Sequence, residues 1–175
     1  LYRSDLAGFS KLSEELAPHE LVLLMNEYLT AMTDIVMAHD GFVDKYIGDA
    51  IDGVFGAPAD DPEHALHAVK AALASRSRLH EMNAAGLAVL GGRKLHQRIG
   101  LHTGQGIVGN IGSEQRFNYT VMGDSANVAS RIEGANKLYG TTILASEATV
   151  QLTGTAVAWR EIDTVRVVGR SGPVR

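Results

Sequence analysis

Three segments of the chain carry apolar residues at the spacing of an α-helix. The clearest lies within residues 19–39, where apolar or aromatic side chains recur every three or four positions until Asp40 and Gly41 end the pattern. Similar stripes within residues 62–83 and 124–139 predict two further helices. Each predicted helix has one apolar face, so each is expected to pack against a core.

Between these helices, β-rich runs predict strands. Residues 42–47 and 50–55 flank Gly48 and Asp49, the pattern of a hairpin with a two-residue turn. At residues 7–10 a turn is expected to lead into a helix, with Ser10 as its N-cap. Further strands are predicted over residues 1–6, 95–102, 106–111, 141–145 and 156–168. This order predicts an α+β fold with a ferredoxin-like βαββαβ core and additional C-terminal strands.

Composition limits the class of protein. The 175 residues suffice for one domain, and 45% apolar with 21% charged residues is typical of a globular protein. A net charge of −4 predicts no nucleic-acid partner, so a polyanionic ligand must be held locally. The absence of cysteine excludes disulfides and thiolate metal sites, and no run of about 18 apolar residues predicts a membrane span. Because Leu1 is not an initiator methionine, we expect residues 1–175 to be a single module excised from a longer chain.

Two aspartates stand where predicted strands give way to turns. Asp5 lies near the end of the first strand, and Asp49 lies at the tip of the hairpin. If the two strands are neighbours, these carboxylates converge and, with a backbone carbonyl, suit Mg²⁺ or Mn²⁺, because Mg²⁺ completes its shell with water and substrate phosphates. Either aspartate alone is more typical of a turn residue. The combination favours a nucleoside triphosphate site.

Three polar residues extend this chemistry. Asn127 and Arg131 are four residues apart on a predicted helix and therefore share one face. The planar guanidinium of Arg131 is suited to phosphate oxygens and to charge that develops on phosphorus. Lys45 lies four residues before Asp49 on one predicted strand, which places both side chains on the same face. Taken singly, each of these residues is more typical of a solvated surface.

The segments that carry these residues resemble, in the expected order, those of the class III adenylyl and guanylyl cyclase catalytic domain, especially its bacterial adenylyl type. The first reads Leu-Tyr-Arg-Ser-Asp-Leu-Ala-Gly-Phe-Ser, and the second reads Asp-Lys-Tyr-Ile-Gly-Asp. The matching segments are residues 1–10, 44–49, 100–104, 109–113 and 119–133. The resemblance covers essentially the whole chain, and the motifs are specific jointly rather than singly.

This resemblance implies a metal-dependent triphosphate site. Asp5 and Asp49 would hold two divalent cations, Mg²⁺ or Mn²⁺, with the backbone carbonyl of Leu6 as the third protein ligand. The β- and γ-phosphates of ATP would be received by the backbone amides of a turn formed by Gly8, Phe9 and Ser10.

The resemblance also assigns the base and the reaction. Lys45 and Thr120 match the pair that reads the base, in the combination of bacterial enzymes that use ATP, whereas guanylyl cyclases usually carry glutamate at the position of Lys45. Asn127 and Arg131 match the pair that orients the ribose and stabilises the transition state. The implied reaction is attack of the ribose 3′-oxygen on the α-phosphorus, which forms 3′,5′-cyclic AMP and releases pyrophosphate.

A head-to-tail homodimer follows from the same resemblance. In the family, the metal aspartates of one subunit face the base-reading and Asn/Arg residues of its partner, so two shared sites form and a monomer is inactive. The implied setting is signal transduction, with a cytoplasmic catalytic domain joined to an upstream sensor or membrane segment.

Three positions depart from the family pattern. Asp52 stands where an apolar residue is usual, so its carboxylate is expected to be exposed, protonated or paired. Arg3 stands where a small or aromatic residue is usual. Val168 replaces a lysine that helps to hold the terminal phosphates, a task for which Arg170 or Arg166 is a candidate substitute.

Other functions stay open at this stage. One is a cyclase-like module with impaired catalysis that regulates a partner by dimerising. Another is a cyclase of GTP or of a pyrimidine nucleotide. A third is a diguanylate cyclase or polymerase palm, but these need paired acids at the hairpin, and residues 48–50 supply only one.

Overall fold

Strands and helices alternate along the chain in the computed structural model, which describes residues 1–166 and 172–175. The strands are β1 (Tyr2–Leu6), β2 (Gly41–Ile47), β3 (Ala50–Phe55), β4 (Gln97–Leu101), β5 (Ile107–Gly112), β6 (Phe117–Met122) and β7 (Ile143–Ala145). The α-helices are α1 (Phe9–Glu15), α2 (Pro18–Ala38), α3 (His64–Ala85), α4 (Asp124–Tyr139) and α5 (Glu147–Thr153).

One mixed sheet organises the fold, with strand order β2-β3-β1-β4-β7. All neighbours in it are antiparallel except β4 and β7, which are parallel. The predicted α+β, ferredoxin-like fold is therefore confirmed, with β1 at the centre. Strands β5 and β6 form a separate antiparallel hairpin, here called the β5–β6 hairpin.

The two faces of the sheet carry different helices. Apolar side chains of α2 and α3 form two clusters with one face, centred on Tyr28 and on Ile99. Gly100 faces the opposite side of the sheet from Ile99, because successive residues of a strand face alternate sides. There α4 lies directly on β4, since a Cβ atom at Gly100 would come within 2.3 Å of the backbone nitrogen of Glu133. The absence of a side chain at Gly100 thus allows α4 to approach the sheet.

Helix α2 is the longest apolar helix in the described part of the chain. Its 21 residues are long and apolar enough to cross a membrane by length and composition, although no continuous apolar run suggested this. Its buried residues, Leu24, Tyr28, Met32 and Val36, instead form one stripe against the sheet. One face of α2 therefore packs on the sheet, whereas Val22 and Leu23 are 56% and 61% exposed.

Several predicted boundaries need correction. Helix α1 begins at Phe9 after Gly8, whose φ of 78° is left-handed, so Ser10 is not the N-cap. Strand β6 and helix α5 were not predicted. No strand covers residues 156–166 of the predicted 156–168 strand; Val157 and Trp159 pack against the core, and Val165 forms only an isolated bridge with Val174.

Candidate functional site

Asp5 and Asp49 lie near each other at the end of the central strand, β1. Asp5 lies in β1, and Asp49 lies in the tight turn between β2 and β3. The Asp49 carboxylate Oδ2 accepts a hydrogen bond of 2.7 Å from the backbone N–H of Leu6, which fixes the turn against β1. Burial raises the pKa of Asp49, and the negative charge of Asp5 adds to this rise. Asp5 is therefore close enough to Asp49 to affect the pKa of the Asp49 carboxylate.

Arg98 completes an electrostatic cluster around Asp5. It lies on β4 directly opposite Asp5, and its Nε is 3.1 Å from Asp5 Oδ1. The same Nε is 3.3 Å from Glu133 Oε1 of α4. Burial raises the pKa of Glu133 to about 7, and the negative charge of Asp5 contributes in the same direction. The sequence analysis assigned no role to Arg98 or Glu133, since only the strand register brings them to Asp5.

The donors around the two aspartates suit a hard divalent cation. Carboxylates of Asp5 and Asp49 and the backbone at Leu6 offer oxygen atoms only, and oxygen ligands are those that Mg²⁺ prefers. Among residues 1–166 and 172–175, no group of three or more His, Cys, Asp or Glu side chains is arranged to hold a metal. The chain itself thus supplies a sparse set of ligands, as expected for a metal that also binds phosphates.

A second cluster joins β2 to the β5–β6 hairpin. Lys45 Nζ donates a hydrogen bond of 2.9 Å to Thr120 Oγ1, so the two residues matched to base recognition are in contact. Thr120 in turn donates a hydrogen bond of 2.8 Å to Asp44 Oδ2. Asp44 is the extra residue of a bulge in β2, between the pairs formed by Val43 and Lys45 with β3. Asp44 belongs to one of the matching segments, but the sequence pattern alone predicts no role for it.

Asn127 and Arg131 form a third group on α4. Asn127 is exposed, and the Nη1 atom of Arg131 is buried without a hydrogen-bond partner. No hydrogen bond or ion pair within the described part of the chain joins these two residues to Lys45, Thr120 or the aspartates. One chain therefore presents the predicted site residues as three separate groups.

A basic cavity lies beside the turn that leads into α1. Its volume is about 370 Å³, and Gly8, Lys11, Arg93 and Lys94 contribute to its lining. Arg93 forms an ion pair with Glu15, and Lys11 lies 3.8 Å from the same carboxylate. Glu15 also lines the cavity, so three basic side chains face one acidic side chain, and the remaining positive charge favours an anion. Phe9 is directed to the core, where it packs against the cluster around Tyr28.

Arg3 and Asp52, which both depart from the family pattern, form an ion pair with each other. The two residues are paired across β1 and β3, and Arg3 Nη1 lies 2.5 Å from Asp52 Oδ1. Asp52 is thus paired, one of the three expected states. Val168 and Arg170 lie outside the described residues, while Arg166 is exposed.

Comparisons with known proteins agree with this geometry. The model of the adenylate and guanylate cyclase catalytic domain matches residues 1–174. Adenylate cyclase 1 of Rhizobium meliloti (strain 1021) is 41% identical over 168 residues, which are 96% of this chain but 25% of that protein. The chain thus spans a quarter of the length of this relative.

Two solved structures extend the likeness to three dimensions. The guanylyl cyclase Cya2 has a TM-score of 0.90 and 38% identity, with 99% of this chain and 86% of that chain covered. The adenylyl cyclase CyaB from P. aeruginosa has a TM-score of 0.87 and 33% identity, with 99% and 88% covered. Two aspartates lie near each other at the end of the central strand, and the family model matches residues 1–174, so the chain belongs to the adenylate and guanylate cyclase catalytic domain family.

Proposed function

We propose that this domain converts ATP to 3′,5′-cyclic AMP and pyrophosphate. The observation that carries the proposal is the convergence of Asp5 and Asp49 on Leu6, within a chain of the cyclase family. The contact between Lys45 and Thr120 favours ATP, because this is the combination of the bacterial adenylyl type. We further propose that residues 1–175 are one catalytic domain of a longer cytoplasmic signalling protein.

Members of this family depend on divalent metal ions. Asp5, Asp49 and the carbonyl of Leu6 fit such ions, and we propose two per site, Mg²⁺ or Mn²⁺. When bound, the ions would lower the pKa of the ribose 3′-hydroxyl and neutralise the triphosphate. Arg98 holds the Asp5 carboxylate from the side of β4 and thus fixes its direction before the ions arrive.

The remaining groups of this chain bind and orient the nucleotide. Arg131 has an unpartnered Nη1 that suits an oxygen of the α-phosphate, where charge develops in the transition state. Asn127, four residues earlier on the exposed side of α4, would orient the ribose. The basic cavity beside Gly8 supports binding of the terminal phosphates near this turn, and the amides of Gly8, Phe9 and Ser10 are proposed as donors from the family likeness. Arg170 is proposed as a further phosphate ligand from the family likeness alone.

A head-to-tail homodimer would bring the three groups together. The β5–β6 hairpin exposes large apolar side chains, including Ile107 at 74% and Phe117 at 61% exposure. Exposed apolar residues of this size are typical of a surface that another protein covers. Pairing of two chains would place the aspartates of each opposite Lys45, Thr120 and Arg131 of the other, in two equivalent sites.

A guanylyl cyclase is the second candidate, because a guanylyl cyclase is 38% identical to this chain. Product analysis separates the candidates. The purified domain is incubated with Mn²⁺ and each of the four nucleoside triphosphates, beside an Asp49→Ala control. Cyclic AMP from ATP above all, lost in the control, supports the proposal. Predominant cyclic GMP would favour the second candidate, and no cyclic product from any nucleotide would leave a regulatory dimerisation module.

A further inference from the structure

Asp44 is a buried carboxylate beside the base-reading pair. Its side chain is 2% exposed, whereas that of its neighbour Lys45 is 44% exposed. Asp44 Oδ2 accepts the hydrogen bond from Thr120 at 2.8 Å and lies 3.2 Å from Lys45 Nζ. The three side chains therefore form a closed triangle, because Lys45 also donates to Thr120.

Each corner of this triangle has a fixed hydrogen-bonding role. An ionised carboxylate can only accept, and an ammonium group can only donate. Thr120 has a single hydroxyl proton, and Asp44 accepts it. Thr120 therefore presents a lone pair to any further partner, and Lys45 presents its remaining N–H. The exposed edge of the triangle offers one acceptor next to one donor.

This polarity matches one purine and opposes the other. Adenine presents a donor, its exocyclic amino group, beside the N1 acceptor. Guanine presents the O6 acceptor beside an N1–H donor, so each of its groups would face a like group of the triangle. A site that places like hydrogen-bonding groups against a ligand discriminates against it, because both groups lose their partners.

We propose that Asp44 is a positioning residue that sets base specificity by orienting the Thr120 hydroxyl, and this inference rests on the proposed cyclase function. The other carboxylate oxygen, Oδ1, supports it. That atom is buried without a hydrogen-bond partner, which destabilises the fold. A carboxylate at this position is therefore poorly explained by stability, and its remaining contacts all go to the base-reading pair.

The test is the specificity of Asp44→Asn. An asparagine amide can donate to Thr120 Oγ1, which frees the hydroxyl proton to face the guanine O6. We expect the ratio of kcat/KM for ATP to that for GTP to fall about tenfold or more, mainly through KM. In a Thr120→Val background, Asp44→Asn should change this ratio no further, because the hydroxyl through which Asp44 acts is absent.

Asp40→Asn is the matched control, since it makes the same change at a side chain that is 75% exposed. It should leave the ratio unchanged. If Asp44 only ties the β5–β6 hairpin to β2, Asp44→Asn lowers kcat/KM for ATP and GTP by the same factor, and the inference is wrong. If the parent protein is inactive with all four nucleotides, the proposed cyclase function itself is wrong. Failure of the Asp44 inference is therefore distinguishable from failure of the proposed function.

A second measurement needs no variant. Purine riboside triphosphate lacks the amino group of ATP, and inosine triphosphate replaces it with an acceptor. The parent domain should use purine riboside triphosphate better than inosine triphosphate, because only the second places like groups together. The reverse order would overturn the proposed polarity even if Asp44→Asn does not fold.

Discussion

The ion pair between Arg3 and Asp52 should couple β1 to β3 energetically. The side chains are 17% and 27% exposed, which places the pair between surface and core. Exposed pairs contribute up to about 1 kcal/mol, whereas loss of one partner of a buried pair costs about 3–5 kcal/mol. We therefore expect Arg3→Met and Asp52→Met each to lower the free energy of unfolding by about 2 kcal/mol.

The double variant carries the test. Arg3→Met with Asp52→Met replaces two charges by two apolar side chains, so its cost should be well below the sum of the single costs. We expect a coupling energy of about 1.5 kcal/mol from urea unfolding followed by circular dichroism. The pair of Arg78 and Glu81, 50% and 64% exposed, is the matched control with an expected coupling below about 0.5 kcal/mol. Equal coupling in both pairs would refute the reasoning.

Two further predictions concern the contact between α4 and the sheet. Gly100→Ala should destabilise the domain by about 3 kcal/mol, because the added Cβ would lie 2.4 Å from the backbone oxygen of Ala129. Gly134→Ala, on the open side of α4, should stabilise the domain slightly. Equal shifts of the two variants in thermal unfolding would contradict this prediction. Without metal, the free energy of unfolding should fall as pH rises from about 4.5 to about 7, because the raised pKa of Glu133 makes its ionised form less favourable in the folded state. Urea unfolding at several pH values measures this dependence. If Glu133→Gln shows the same dependence on pH as the parent, Glu133 is not its cause.

Much of the fold could be predicted because its long elements have strong periodic patterns. Helix α2 begins and ends within one residue of the predicted segment, and the turn at Gly48 and Asp49 lies where expected. Strand β6 was not predicted, although its sequence has the period of a strand. Phe117, Tyr119 and Val121 alternate with two polar residues and Met122. The segment after α5 was wrongly predicted as a strand, because its spaced apolar residues pack on the core without a pairing partner.

The site residues with familiar motifs could be named from the sequence, but their neighbours could not. Arg98 reaches Asp5 only because β1 and β4 pair in one register, which composition does not determine. Asp44 is buried beside Thr120 because β2 contains a bulge, which interrupts simple alternation. The sequence predicts that Asp52 is exposed, protonated or paired, and only the register of β1 with β3 identifies Arg3 as its partner.

The central claim is a metal-dependent cyclase site shared between two chains, and complementation tests it most directly. Asp49→Ala removes a proposed metal ligand and Arg131→Ala removes the proposed transition-state residue, so each variant alone should make no cyclic AMP from ATP and Mn²⁺. In an equimolar mixture about half of the dimers are mixed, and each mixed dimer has one intact site of two, so about a quarter of the parental rate should return. An inactive mixture of well-folded variants that form mixed dimers would contradict the shared site.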